Sequence, residues 1–83
     1  MNYTVLWSEI AEEELADIWL NASDPEVITQ ASHLIDRQLR RDPDQVGESR
    51  PNNRRILLVS PLGVSFQVIE DDRKVEVLHV WSF

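Results

Sequence analysis

The chain has 83 residues, the size of one small domain, and it contains no cysteine. The missing thiols exclude disulfides, thiol catalysis and cysteine-ligated metal sites, and they fit a cytoplasmic protein. The formal net charge is −7, and residues 1–31 carry seven acidic residues without any lysine or arginine. This charge argues against tight non-specific nucleic-acid binding, because attraction to phosphate supplies most of that affinity. No apolar run approaches membrane-spanning length, so we expect no membrane partner.

The first 22 residues predict a strand followed by an acidic helix. Residues 2–7 alternate, which places Tyr3, Val5 and Trp7 on one face of a strand. Ser8 is well suited to cap the helix that follows. The apolar stripe of that helix consists of Ala11, Leu15, Ile18, Trp19 and Ala22. The acidic residues between them indicate a solvated helix face or, alternatively, a surface for a basic partner.

A second helix is predicted from Pro25, with Asp24 as its cap, to the neighbourhood of Arg41. It should end there because Pro43 disfavours a helical conformation at the residue before it. The arginines in its last turns complement the helix dipole. We expect the two helices to form an antiparallel hairpin. The hairpin should pack on a sheet through seven apolar residues, namely Leu15, Ile18, Trp19, Ala31, Leu34, Ile35 and Leu39.

The second half of the chain predicts an exposed loop and then three strands. Residues 42–53 are polar and rich in proline, glycine and asparagine, which is typical of a loop. Dense apolar runs over Arg54–Ser60, Val64–Glu70 and Lys74–Trp81 predict an antiparallel meander. Pro61, Leu62 and Gly63 are expected to form the first turn, and residues 71–73 the second. The order β-α-α-β-β-β predicts an α+β fold in which the helical hairpin covers one face of a small, mainly antiparallel sheet.

Few residues suggest chemistry. His33 and His79 have no metal-ligand spacing, and no cofactor motif is present, so neither a metal nor a cofactor is expected. His79 should share a face with Val75, Val77 and Trp81, which favours a core or rim histidine. The alternative is a general acid or base, or a platform for base stacking beside Trp81.

Three arginines near the start of the meander also remain open to two interpretations. Arg50, Arg54 and Arg55 are either plain surface charge or phosphate ligands, because the guanidinium fork matches phosphate oxygens. The sequence does not decide between these interpretations.

The residue pattern resembles the RelE/ParE superfamily of toxins from bacterial type II toxin–antitoxin systems. The opening YTVLWSEIAEEELADIWLNAS is similar to that family's first strand and first helix, and ASHLIDRQL to its second helix. Gly47 and Arg50 resemble its glycine-plus-basic loop. The segment VSFQVIEDDRKVEVLHVW resembles its closing hairpin. The similarity covers nearly the whole chain, residues 1–83, as a single toxin domain.

The resemblance implies a plasmid-stabilisation toxin neutralised by a cognate antitoxin. Family members cut messenger RNA on the ribosome without metal, or they inhibit DNA gyrase. The nuclease members often carry a basic residue at the start of the third strand, where this chain has Gly63, and a His-Tyr pair in the tail. Here the tail is Trp81-Ser82-Phe83. Metal-free cleavage needs cations at the developing charge, so strong ribonuclease activity is not expected.

The resemblance and the residue pattern together assign provisional roles. Arg54, Arg55 and His79 are the candidates for catalysis in the alternative of a weak, metal-free endoribonuclease. Arg50, Arg54 and Arg55 are the candidates for binding RNA or another target. Trp81 and Phe83, together with Arg54 and Arg55, are the expected antitoxin contacts. A third alternative is a degenerate, non-toxic protein-binding module.

Overall fold

Two helices cover one face of a five-stranded sheet in the computed structural model, which describes residues 2–83. The elements are β1 (Thr4–Trp7), α1 (Glu9–Asn21), α2 (Pro25–Arg41), β2 (Glu48–Arg50), β3 (Arg54–Val59), β4 (Leu62–Ile69) and β5 (Lys74–Ser82). The strand order is β1-β5-β4-β3-β2, with β1 parallel to β5 and the other neighbours antiparallel. The predicted α+β fold is confirmed, with one additional short strand.

That additional strand corrects the prediction of a continuous loop over residues 42–53. Glu48–Arg50 pairs with the start of β3, so that Glu48 faces Ile56 and Arg50 faces Arg54. All three residues of β2 are exposed, and none is apolar. Strand β2 is therefore held by backbone pairing at the sheet edge and buries no side chain, which explains why the hydrophobic pattern does not reveal it.

The helices pack on the sheet through a compact set of fully buried side chains. Ile35 and Leu39 of α2 have no exposed surface, and neither do Val64 and Phe66 of β4. Helix α1 contributes Ala11 as its one fully buried residue, with Leu15 and Ile18 partly buried beside it. The core therefore lies between α2 and the centre of the sheet, while α1 lies along its margin.

Two predicted core residues lie outside this set. The side chain of Leu34 is 42% exposed and that of Trp19 is 44% exposed. Leu34 precedes the buried Ile35 and is therefore rotated about 100° away from it around α2. Trp19 lies on the flank of α1, where its Nε1 donates to Thr29 Oγ1 at 3.1 Å. Including these two residues in the sheet-packing surface was wrong.

The connection between β3 and β4 is shorter than predicted. Leu62 and Gly63 belong to β4, where they pair with Val59 and Leu58. The turn consists of Ser60 and Pro61, which are joined by a cis peptide bond. Placing Leu62 and Gly63 in the turn was wrong, because both are strand residues and a glycine is needed at position 63 where the Trp81 ring lies close.

A β-bulge in β5 decides which side chains face the helices. Val64 pairs with Val80 and Ser65 with His79, but Phe66 pairs with Val77, so Leu78 is an extra residue. The alternation of β5 therefore shifts by one residue, and Val80 joins Val77 in the core. His79 consequently lies on the face opposite Val75 and Val77, and the prediction that it shares their face was wrong.

Among residues 2–83, neither helix combines the length and the apolar character needed to cross a lipid bilayer.

Candidate functional site on the open face of the sheet

The sheet face that the helices leave uncovered carries most of the predicted functional residues, and we call it the open face. Cross-strand pairing fixes its membership, because paired residues point to the same side of a sheet. Its residues form three successive rows across the strands, namely Leu6–Glu76–Gln67–Arg54–Arg50, His79–Ser65–Ile56–Glu48 and Trp81–Gly63–Leu58. The open face is therefore polar at one end and apolar at the other.

Arg50 and Arg54 form the basic end of the open face. They are directly opposite each other across the hairpin that joins β2 to β3. Asn52 and Asn53 close this hairpin with φ angles of 64° and 60°, in the left-handed region that asparagine tolerates better than most residues. The sequence Pro-Asn-Asn therefore brings the two arginines side by side.

The local charge at this end is incompletely compensated. Arg50 Nη1 lies 3.0 Å from Glu48 Oε2, in an exposed ion pair. Arg54 donates to the neutral side-chain oxygen of Gln67 and has no carboxylate partner within residues 2–83. Like charges directly opposite on neighbouring strands repel each other. An anion held between the two guanidinium groups would relieve that repulsion.

Arg55 does not take part in this arrangement. It pairs with the buried Phe66 and therefore points to the helix side of the sheet. Its Nε and Nη2 donate to the backbone oxygen of Val46 at 3.1 and 3.0 Å, and Nη2 also donates to that of Gly47 at 3.3 Å. These bonds hold the segment between α2 and β2. Grouping Arg55 with Arg54 in one binding surface was wrong, because consecutive strand residues point to opposite faces.

His79 lies beside the bulge and turns toward α1. Its side chain is 58% exposed, and its Nδ1 lies 3.4 Å from Glu14 Oε1. The same Glu14 oxygen accepts a hydrogen bond from the backbone N–H of Val80 at 3.0 Å. Ser8 Oγ accepts from the backbone N–H of Ala11, which confirms the predicted cap, and donates to the Leu78 carbonyl.

Ser8 and helix α1 supply hydrogen-bond partners for the backbone of β5 where it has no strand neighbour. Strand β1 pairs only with residues 74–77 of β5, so the bulged residues beyond them have no strand neighbour on that side. Ser8 and Glu14 supply side-chain partners for the Leu78 carbonyl and the Val80 N–H instead. Both side chains therefore have a structural role in positioning His79.

His79 and the two arginines lie too far apart to act together on one reacting group. Arg54 and His79 are two strands and two residues apart, which corresponds to about 12 Å between their backbone positions. Glu76 lies in the arginine row on the far side of Gln67 from Arg54, so the row carries a carboxylate as well as the two cations. The geometry therefore does not place a cation and an acid–base group at the same reacting phosphate. Phosphate binding by Arg50 and Arg54 alone remains a prediction.

Leu58, Trp81 and Phe83 form what we call the apolar end of the open face. Trp81 pairs with Gly63, and a Cβ atom built on Gly63 would lie 2.5 Å from Trp81 Cε2. The indole ring therefore covers the glycine. Leu58 is 56% exposed next to this pair, and Phe83 is 62% exposed beyond the end of β5, where its N–H donates to the Pro61 carbonyl.

Sequence reasoning identified Trp81 and Phe83 but missed Leu58 and the role of Gly63. Leu58 belongs to the run Ile56-Leu57-Leu58-Val59, which is apolar at every position and so does not indicate which residues face outward. Only the pairing with Gly63 places Leu58 on the open face.

The described part of the chain, residues 2–83, contains no group of three or more His, Cys, Asp or Glu side chains that could hold a metal ion. The candidate site therefore consists of two arginines, one histidine and an exposed apolar end.

Solved structures with the same architecture come from toxin–antitoxin systems. The toxin–antitoxin complex RelBE2 of Mycobacterium tuberculosis matches with a TM-score of 0.83 at 17% identity, over 100% of this chain and 93% of the matched chain. The chromosomal ParDE system of Pseudomonas aeruginosa matches with a TM-score of 0.75 at 19% identity, over 96% and 95%. The chain has the RelE/ParE fold. Neither the family models nor the curated proteins give a match to this sequence.

The chain is also similar to part of a longer protein. The structure of TrmO from Pseudomonas aeruginosa matches 98% of this chain with a TM-score of 0.65 at 25% identity, but this covers only 36% of the TrmO chain. The two toxin–antitoxin structures match at higher TM-scores and over nearly their full length. The resemblance identified from the sequence is therefore confirmed at the level of the fold.

Proposed function

We propose that this protein is the toxin-like component of a bacterial type II toxin–antitoxin system of the plasmid-stabilisation kind, acting in the cytoplasm. A cognate antitoxin neutralises it by covering the open face, and its own ribonuclease activity is weak or absent. The observation that carries the proposal is a RelE/ParE fold whose open face exposes an arginine pair and an apolar end.

The apolar end supports a protein partner. Leu58 and Phe83 are more than half exposed, and the Trp81 ring lies against Gly63. Large aromatic side chains at a protein surface are frequent anchors of binding energy. A domain of this size leaves a large share of its apolar surface exposed, and an antitoxin segment would bury it.

The two ends of the open face define what such a segment must look like. Gly63 and Gln67 lie four residues apart on β4, so the apolar and basic ends are separated by about 13 Å. A segment with apolar residues at one end and a carboxylate about 13 Å away would contact both ends. The carboxylate would meet Arg50 and Arg54, which lack full compensation within residues 2–83.

Weak ribonuclease activity is supported by the separation of the candidate groups. His79 contacts Glu14 near the β1 side of the sheet, while Arg54 contacts Gln67 on the other side. Stabilisation of transition-state charge requires donors aimed at the place where the charge develops. Arg50 and Arg54 could bind an RNA phosphate, but His79 does not reach the same position.

The first test is inducible expression with and without the protein encoded by the neighbouring gene. Growth arrest that the neighbour relieves is the expected result. Messenger RNA cleavage and DNA supercoiling, followed in the same cultures, separate an RNA target from a gyrase target. Unchanged growth together with no binding to the neighbour at micromolar concentration would leave a non-toxic protein-binding module.

Binding kinetics test how the open face is used. Trp81→Ala should accelerate dissociation of the antitoxin, because it removes an apolar anchor. Replacing Arg50 and Arg54 by alanine together should mainly slow association and reduce its salt dependence. Arg37→Ala combined with Arg41→Ala changes the net charge equally on α2, away from the open face, and is the matched control. Equal effects of the two arginine pairs would refute a specific role for Arg50 and Arg54.

A further inference from the structure

Helix α2 has one side that is turned away from both the sheet and α1. The side toward the sheet carries the buried residues, namely Ile28, Ala31, Ile35 and Leu39. The hydrogen bond between Trp19 and Thr29 marks the side toward α1. The third side follows from about 100° of rotation per residue. It is exposed along the whole helix and consists of Val27, Gln30, Leu34, Arg37 and Arg41. We call it the free side of α2.

The free side has an apolar centre. Leu34 lies near the middle of the 17-residue helix and is 42% exposed. Val27 lies seven residues earlier, two turns along the same side, and is 41% exposed. Apolar residues at this spacing recur along helices that pack against other helices. The free side therefore has the pattern of a helix–helix contact.

The two ends of the free side carry opposite charges. Glu26 lies at its margin in the first turn of α2, Arg41 lies in the last turn, and Arg37 lies one turn before Arg41. None of these three side chains forms an ion pair within residues 2–83. Arg40, by contrast, lies 2.7 Å from Asp36 in an ion pair on the α1 side of the helix. One acid at the start of the free side and two bases at its end therefore remain available to a partner.

We propose that the free side of α2 binds the free side of a second copy, as an antiparallel helix pair with a twofold axis near Leu34. Glu26 lies eight residues before Leu34 and Arg41 seven residues after it. The axis therefore brings Glu26 of each copy beside Arg41 of the other, with a mismatch of about 1.5 Å along the helix. The aliphatic part of each Arg41 then covers Val27 of the other copy. A parallel pair would instead place like charges together.

Self-complementarity favours a second copy over other occupants. A twofold interface uses the same patch on both subunits, so an acid at one end must match a base at the other, as on the free side. A nucleic acid would meet Glu26 at one end and Asp42 and Asp44 next to Arg41 at the other. The acidic α1 helices of the two copies lie at the outside of the pair, about 20 Å apart. Their repulsion is largely screened, because the Debye length is about 8 Å at physiological salt.

The size of the contact predicts a weak dimer. Helix α2 is about 25 Å long, and one pair of such helices buries less than the roughly 1,200 Å² of a stable interface. We expect a dissociation constant of about 100 µM, so the chain is monomeric at low micromolar concentration. The open face lies across the sheet from α2 and stays accessible in both copies. The proposal therefore does not depend on antitoxin binding there.

Cysteine cross-linking tests the position of the axis, because the sequence has no cysteine of its own. Leu34→Cys places one thiol of each copy near the axis, within the Cα separation of about 7 Å that a disulfide requires. Mild oxidation at about 100 µM should then give a covalent dimer as the main product. Ile10→Cys puts a thiol at a 56% exposed position of α1 and should give at least about fivefold less dimer. Equal cross-linking of the two variants would refute the proposed axis.

Charge exchange followed by sedimentation equilibrium tests the ends of the helix pair. Arg41→Glu and Glu26→Arg should each weaken self-association at least about fivefold, because each creates two contacts between like charges. An equimolar mixture of the two variants should associate about as tightly as the unaltered chain, because both contacts then join opposite charges. Lys74→Glu makes the same charge change as Arg41→Glu on β5 and should alter association less than about twofold.

Far-ultraviolet circular dichroism checks that these surface variants are folded. An unaltered chain that stays monomeric up to about 1 mM would overturn the proposal. So would a mixture that associates no more tightly than its two components, because the ends of the helices would then not meet.

Discussion

The orientation of α2 on the sheet can be tested with two identical substitutions on the same helix. Leu39 has no exposed surface, while Leu34 is 42% exposed. Both lie within α2, so leucine-to-alanine changes affect helix propensity almost equally at the two positions. Their difference in unfolding free energy therefore reports burial alone.

The expected magnitudes follow from the surroundings of each side chain. Leu39→Ala removes a fully buried side chain and leaves a cavity, which costs about 2 to 5 kcal/mol. Leu34→Ala removes only partial burial and opens no enclosed cavity, so its cost is about 1 kcal/mol. A domain of this length has a total stability of about 4 to 12 kcal/mol, so Leu39→Ala consumes a large part of it.

Urea unfolding followed by far-ultraviolet circular dichroism measures both values. With an m-value of about 1 kcal/mol/M, the midpoint should fall by about 1 M for Leu34→Ala and by at least about 2 M for Leu39→Ala. The m-value itself should not change. If Leu34→Ala were as destabilising as Leu39→Ala, α2 would be rotated relative to the sheet, and the assignment of its buried side would be wrong.

Two further predictions concern close contacts. Gly63→Ala should destabilise the protein by about 1 kcal/mol because its Cβ displaces the Trp81 ring, but it should be neutral or stabilising in a Trp81→Ala background, where alanine only restricts the unfolded chain. The same cost in both backgrounds would refute this explanation. Tyr3 is the only tyrosine in the sequence. Its pKa is raised above 10, because the phenol is partly removed from water and because it lies beside the charge of Glu70 and donates a hydrogen bond to it. Ultraviolet titration should show that Glu70→Gln lowers this pKa, and the stability linked to the protonated phenol should be complete at neutral pH and lost as the pH rises through the raised pKa. An unchanged titration midpoint in Glu70→Gln would exclude the contact.

The sequence predicted the starts of the helices well, because a single capping residue or proline sets the backbone conformation there. Ser8 marks the start of α1, and its side chain accepts the capping bond from Ala11. Pro25 marks the first turn of α2. The bounds of β3, β4 and β5 fall within two residues of the predicted ones, because each strand is a dense apolar run between turn-forming residues.

The pattern of apolar residues was less informative about which side chains are buried. The pattern shows where the centre of an apolar helix stripe lies but not how many residues on either side of it are buried. Trp19 and Leu34 both lie at the margins of their stripes and are exposed. Strand β2 has no apolar residue and could not be recognised by any periodicity. Its position depends on pairing with β3, which is a non-local interaction.

The site could not be assembled from sequence because its geometry depends on strand register. The extra residue Leu78 reverses the side on which His79 lies, and no local pattern distinguishes this bulge from regular alternation. Arg54 and Arg55 are neighbours in the chain but point to opposite faces of β3. Arg50, Arg54 and Arg55 therefore do not form one surface.

The arginine pair of β2 and β3 and the acidic flank of α1 lie on opposite sides of the sheet. Arg50 and Arg54 are exposed on the open face, while the uncompensated carboxylates of α1 lie on the helix side. Each side also exposes apolar surface, at Leu58 and Leu20 respectively. An acidic partner segment would therefore bind the arginine side and a basic segment the α1 side, because each is repelled by the like charge on the opposite side. Reversing the charge on one side should consequently change binding there while leaving binding on the opposite side intact.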